Sequence, residues 1–142
     1  MTEVRRVFDA PRALVWAAWT DPVQLPAWWG RRGWNIDPAT LVMEVRPGGR
    51  LHHVSVNEET GERMTLDGVF QDVVEPERLS FRHGGALSVT TFRDIGDGRT
   101  ELVVQTDQMM SDALRGRAAA GLGSAFDRLA DHLQLINQKE HA

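Results

Sequence analysis

Between residues 41 and 106 apolar and polar side chains tend to alternate, and from residue 111 onward apolar positions recur every three or four. The first pattern predicts strands and the second a long amphipathic helix. Residues 41–45 are apolar and β-leaning, and Pro47-Gly48-Gly49 turns them into a strand over 50–56. The polar run 57–62 forms a hairpin tip. In 63–74, Met64, Leu66, Gly68 and Phe70 share one face, and Thr65, Asp67, Val69 and Gln71 the other. Glu75-Pro76-Glu77 breaks that strand. Residues 79–82 begin the next, and His83-Gly84-Gly85 turns it into 87–93. A tight hairpin at 94–98 leads into a last strand over 100–106. The prediction is an antiparallel meander with no helix between its strands.

In the last third, Ser111 is the predicted N-cap, and Leu114, Ala118, Leu122, Ala125, Leu129, Leu133 and Ile136 form the apolar stripe. Arg115, Arg117, Asp127, Arg128 and Asp131 fall largely off it. Gly116, Gly121 and Gly123 each cost about 1 kcal/mol against alanine in a helix, so they mark either a close backbone approach or volume left out. Residues 118–125 are small and Phe126 onward is bulky. The second half of the helix therefore reads as solid core, and the first half as a roof over a hollow.

The chain opens on a strand-like pattern, followed by a segment that concentrates its aromatic weight. All 5 tryptophans, Trp16, Trp19, Trp28, Trp29 and Trp34, lie in the first 34 residues. Pro11 suits the start of one short helix. Asp21-Pro22 suits the start of a second, with Leu25 and Trp28 or Trp29 on one face and Gly30 ending it. Indoles beside a sharp turn either close a core or line the mouth of a cavity.

Taken in order, Ala10-Pro11, Trp19-Thr20-Asp21-Pro22, Trp28-Trp29-Gly30, Arg46-Pro47-Gly48-Gly49, Gly68 within a strand, Pro76-Glu77-Arg78-Leu79 and a closing helix from Gly121 to Leu133 resemble the START-like helix-grip superfamily (SRPBCC). More narrowly, the chain is similar to bacterial proteins related to the C-terminal domain of the activator of heat-shock-protein-90 ATPase. The resemblance runs from about Val4 to Leu133, with one departure: Leu122 stands where that family usually has Trp. It implies an α+β helix-grip fold. A curved antiparallel sheet would wrap a long C-terminal helix, with two short helices after the first strand, as a single domain over residues 1–142. Members hold small apolar molecules between sheet and helix. Some are cyclases or dehydratases, and many are carriers or sensors. In the activator this domain follows a separate N-terminal domain that stimulates the chaperone. We expect no room for that domain in 142 residues, so chaperone stimulation is not carried over.

Composition agrees. A chain of 142 residues suits one domain that buries about 68–70% of its unfolded surface. With Lys+Arg 16 against Asp+Glu 20, the formal charge is −4, which gives no attraction to phosphate backbones or anionic membranes. Zero cysteines exclude disulfides, thiolate metal sites and a cysteine nucleophile. No apolar run has signal-peptide or membrane-span length, so we expect a cytoplasmic protein.

Candidate chemistry is sparse. His52 and His53 are strand neighbours, point to opposite faces and cannot share one metal; the inward one is a candidate polar contact in a cavity. No histidine spacing suits a metal site, and His83, His132 and His141 stand apart. Ser124 lacks the nucleophile-elbow pattern, and the Gly-x-Gly fragments at Gly96 and Gly121 lack a third glycine and a βαβ context. Asp94 and Asp97 read as turn residues. Asp67 and Asp72 face opposite sides and make no carboxylate pair, while Glu44, Glu101 and Asp107 read as strand-edge residues. Arg31 and Arg32 follow the Trp-Trp-Gly corner and read either as solvated loop residues or as a clamp for a flat ligand. Basic residues are scattered, which argues against nucleic-acid binding.

From these patterns we expect a cavity lined by Trp28, Trp29, Met43, His53, Leu66, Gly68, Phe70, Phe81, Val89, Leu102, Val104, Leu122, Ala125 and Phe126. It would bind a small hydrophobic molecule, with no cofactor, metal, nucleic acid or membrane partner, in a monomer or homodimer. The expected role is a non-catalytic carrier or sensor. The alternatives are a polyketide cyclase- or dehydratase-like enzyme with His53 or Asp67 moving protons, and a protein-partner module related to chaperone work.

Overall fold

The computed structural model describes residues 2–30, 32–107 and 112–141, with the side chains of 3–30, 32–107 and 121–136. Ser111 and Arg31 lie outside the described residues, as do the side chains of Leu114, Arg115, Arg117 and Ala118 and the surroundings of Gly116. The elements run β1 (Thr2–Phe8), α1 (Arg12–Thr20), α2 (Leu25–Trp28), β2 (Trp34–Ile36), a 3-10 turn (Pro38–Thr40), β3 (Val42–Met43), β4 (Arg50–Asn57), β5 (Arg63–Val74), β6 (Arg78–His83), β7 (Ala86–Gly96), β8 (Arg99–Asp107) and α3 (Asp112–His141). The eight strands of the described residues form one antiparallel sheet ordered β1-β8-β7-β6-β5-β4-β2, and β3 pairs β4 beside β2. The sheet curls around α3, giving the α+β helix-grip fold. No described helix is long and apolar enough to cross a membrane.

Local chemistry explains most of the meander. Asp97 (φ 56) and Gly98 (φ 69) both sit in the left-handed region and make the two-residue hairpin between β7 and β8. A bulge in β5 between Phe70 and Val73 keeps both residues turned to the core. The displaced Asp72 N–H donates to the fully buried Ser80 hydroxyl (3.0 Å).

β2 has no counterpart in the sequence expectation, and two further elements differ from it. Only Val42–Met43 of the strand expected at 41–45 pairs with β4. Beyond Met43 the chain folds on itself, Arg46 N–H donating to Glu44 O (2.9 Å) and Gly49 N–H to Arg46 O (2.8 Å). A side chain at Gly49 would collide with the Glu44 carbonyl. The second helix starts at Leu25 rather than Pro22. Asp21 holds residues 22–24 in a turn by accepting Val23 N–H on its carboxylate (2.9 Å) and Leu25 N–H on its carbonyl (3.0 Å).

The core lies between the sheet and the second half of α3. Phe126, Leu129 and Leu133 are buried there against Phe8, Val15, Phe92 and Leu102. Phe8 meets Phe126 edge-on at 5.9 Å and Trp16 meets Phe92 at 5.1 Å. Aliphatic and aromatic burial on this scale contributes about 1.5–3 kcal/mol per large side chain. Around Gly121 and Gly123 an added Cβ would meet nothing within 4 Å among the described residues. Among the described residues, those glycines therefore mark volume left out and not close backbone approach.

Candidate functional site

A cavity of about 690 Å³ opens beside β4 and β5, the turn from β6 to β7 and the loop after α2. Its walls are Trp29, Gly30, Trp34, His53, Ser55, Met64, Thr65, Leu66, Asp67, His83, Gly84 and Gly85. Its size falls within the about 300–1,000 Å³ common for small-molecule sites. Behind Trp29 and His53 lies a second space of only about 10 Å³, walled by Trp19, Leu25, Met43, Leu51, Phe70, Leu79 and Phe81. That space holds at most about one water, so among the described residues the packing directly behind Trp29 and His53 is closed.

Register places the sheet wall. His53 pairs with Leu66 across β4 and β5, and Gly68 pairs with His83 across β5 and β6. Gly68 is required there, because a Cβ would come within 2.7 Å of Arg82 O and 3.2 Å of the Phe81 ring. The loop wall is held by a residue on α3. Arg128 Nη1 donates to Trp29 O (3.0 Å), Gly30 O (3.1 Å) and Trp34 O (2.9 Å), and Nη2 donates to Asn35 Oδ1 (3.2 Å). Arg32 N–H donates to Ser124 Oγ (3.0 Å), a second tie between loop and helix. Trp29 is both wall and plug: its indole meets Trp19 at 5.7 Å, Trp28 at 5.5 Å and the His53 ring at 5.9 Å.

The electrostatics of the wall are those of neutral imidazoles. His53 is 2% exposed, and neither ring nitrogen has a hydrogen-bond partner among the described residues. Burial, with His52 adding a smaller contribution, pushes its pKa down to about 4, so the ring is neutral near pH 7. Burial also lowers His83, whose Nε2 lies 3.2 Å from Ser88 Oγ and whose ring stacks on Phe81 at 4.9 Å. Asp67 directs its carboxylate to Arg50 Nε (3.3 Å) and towards His52 Nδ1 (3.6 Å). No group of three potential metal ligands occurs among the described residues.

Of the expected lining, Trp29, His53 and Leu66 come together on the cavity wall, and Met43, Phe70 and Phe81 sit just behind it. Gly68 lies on β5 facing β6, where its missing side chain admits Phe81 and His83. Trp28 is instead a fully buried core residue whose indole N–H donates to Ala18 O (3.0 Å). Leu102, Val104, Ala125 and Phe126 also belong to the packed core, and Leu122 rests half-buried against it. Val89 lies on the opposite face of β7. There Ala86, Ser88, Thr90 and Phe92 turn inward, and hydroxyl contacts such as His83 Nε2 to Ser88 Oγ satisfy the polar ones. The expectation of Val89 on the inner face inverts that strand. Arg32 pairs with Asp131 (3.3 Å) outside the cavity.

Trp34, Ser55, Met64 and His83 were missed as lining. Met64 and His83 follow from simple alternation with Leu66 and Phe81, but Arg128 carries no sequence signal, being one more arginine off the helix stripe.

The family model for activator of Hsp90 ATPase homolog 1-like proteins matches residues 9–134. A Rhodobacter sphaeroides protein of solved structure is 29% identical, with TM-score 0.78 over 94% of this chain and 92% of that one. A Nitrosomonas europaea protein is 20% identical, with TM-score 0.81 over 96% and 95%. An AHSA1 protein from Silicibacter pomeroyi is 21% identical, with TM-score 0.81 over 94% and 99%. The last two likenesses speak to fold alone. No curated protein matches the chain in sequence.

Proposed function

The chain belongs to the activator of Hsp90 ATPase homolog 1-like family, and from that premise we propose that it is a non-catalytic carrier or sensor of a small apolar molecule. The observation that carries this reading is the cavity of about 690 Å³ walled by Trp29, Trp34, Met64 and Leu66. Aromatic and aliphatic walls with a few polar groups favour burial of an apolar body and fix its orientation. An enzyme of the cyclase or dehydratase kind would need a proton donor and acceptor set against a reacting atom. Asp67, at the rim of the cavity, turns its carboxylate to the other face of the sheet, towards Arg50 and His52. That arrangement favours binding over catalysis.

The test uses N-phenyl-1-naphthylamine, a neutral apolar fluorophore, and mass spectrometry of small molecules released from the purified protein by denaturation. Saturable one-site binding, abolished by Leu66→Glu in a folded variant, is the expected result. Unsaturable binding, or binding untouched by Leu66→Glu, would remove the ligand from this cavity. Turnover of a released compound by the unaltered protein would favour the enzyme instead.

A further inference from the structure

The His53 ring lines the cavity beside Trp29, yet both of its nitrogens are buried and meet no donor or acceptor among the described residues. We propose that the ligand is a neutral molecule with an aromatic body and a hydroxyl group, and that His53 recognises the hydroxyl. This rests on the binding reading above and adds the chemical class of the ligand. A buried imidazole without a partner carries a standing penalty, which a ligand group of the right polarity removes; the gain corresponds to roughly tenfold in affinity. A half-turn of the ring about Cβ–Cγ exchanges each nitrogen with a carbon. Both nitrogens are enclosed, so the ring must turn for one of them to meet a ligand hydroxyl, and that turn needs no backbone movement. A hydroxyl both donates and accepts, so it serves either tautomer, whereas a carbonyl serves only one.

Charge narrows the class further. Burial keeps His53 neutral, so a carboxylate would surrender its hydration for an uncharged partner. The body of the ligand is set by Trp29 and Trp34, whose indoles favour edge-to-face or offset contact with another ring.

Equilibrium dialysis at pH 7.5 with 2-naphthol, 2-methylnaphthalene and 2-naphthoate separates these contributions, because the three share one ring system. We expect 2-naphthol to bind roughly tenfold more tightly than 2-methylnaphthalene, and 2-naphthoate to bind most weakly. His53→Phe should erase the preference for the hydroxyl while 2-methylnaphthalene binding persists. His53→Gln, which keeps a donor and an acceptor, should retain most of it. Equal affinity of the unaltered protein for 2-naphthol and 2-methylnaphthalene, or strongest binding of 2-naphthoate, overturns the hydroxyl assignment and leaves the binding reading intact. A preference that survives in folded His53→Phe overturns it equally. Binding of none of the three defeats both.

Discussion

Replacing Arg128 with alanine should loosen the loop that forms one wall of the cavity. The guanidinium serves three backbone carbonyls through Nη1, at 3.0, 3.1 and 2.9 Å, and Asn35 through Nη2 at 3.2 Å. Hydrogen bonds to a charged donor contribute about 1.5–3 kcal/mol each when the alternative is an unpaired group. Here one nitrogen is shared among three acceptors, and the head is only partly buried, so water can replace some of the loss. The expected cost is therefore about 2–3 kcal/mol in total. For a chain of this size that corresponds to roughly 5–10 °C in Tm. Urea unfolding followed by tryptophan fluorescence should show a lower midpoint with an unchanged slope. Affinity for N-phenyl-1-naphthylamine should fall as well, because the released loop carries Trp29 and Trp34. Arg128→Lys should recover part of the stability, since an ammonium supplies charge without the planar fork. A stability loss below about 0.5 kcal/mol, the level of an ordinary surface change, together with unchanged probe affinity, would refute the claim that Arg128 holds the wall.

Three further outcomes follow from particular positions. Gly68→Ala should cost about 1–3 kcal/mol, because the new methyl meets Arg82 O and the Phe81 ring; a neutral result in thermal denaturation would deny the close strand approach. Gly121→Ala should stabilise by about 0.5–1 kcal/mol, since nothing described lies within 4 Å of the added carbon; destabilisation would show a backbone contact there. Stability should be full above pH 6.5 and fall as pH drops towards 4, because the unfolded chain protonates His53 at its ordinary 6.5 while the folded chain resists to about 4. The loss from His53 is at most roughly 3 kcal/mol, and His83, also lowered by burial, adds to it in the same direction. An unchanged pH slope in His53→Gln would remove His53 as its source.

The family and the fold were legible because turn chemistry and periodicity agreed. Asp97-Gly98 and Gly48-Gly49 mark turns wherever they occur, and Phe126, Leu129 and Leu133 follow one helix face. His53 was legible as the inward member of its pair, since Leu51 and Ser55 share its phase on β4. The wall as a whole was less so. On β7 the inward face carries Ser88 and Thr90, whose burial depends on contacts across strands that local sequence does not show. Trp28 and Trp29 are adjacent and chemically identical, yet the extended conformation at Trp29 sends one to the core and the other to the cavity. Arg128 acts on carbonyls more than ninety residues away, a relation only the folded chain reveals.

The indole N–H signals of the 5 tryptophans give the most direct test of whether this cavity is the binding site. In a two-dimensional ¹H–¹⁵N titration with 2-naphthol, the account predicts saturable shifts for Trp29 and Trp34, which line the cavity. It predicts little change for Trp16 and Trp28, which are buried in the core. Shifts confined to Trp16 and Trp28, or none at saturating ligand, would contradict it.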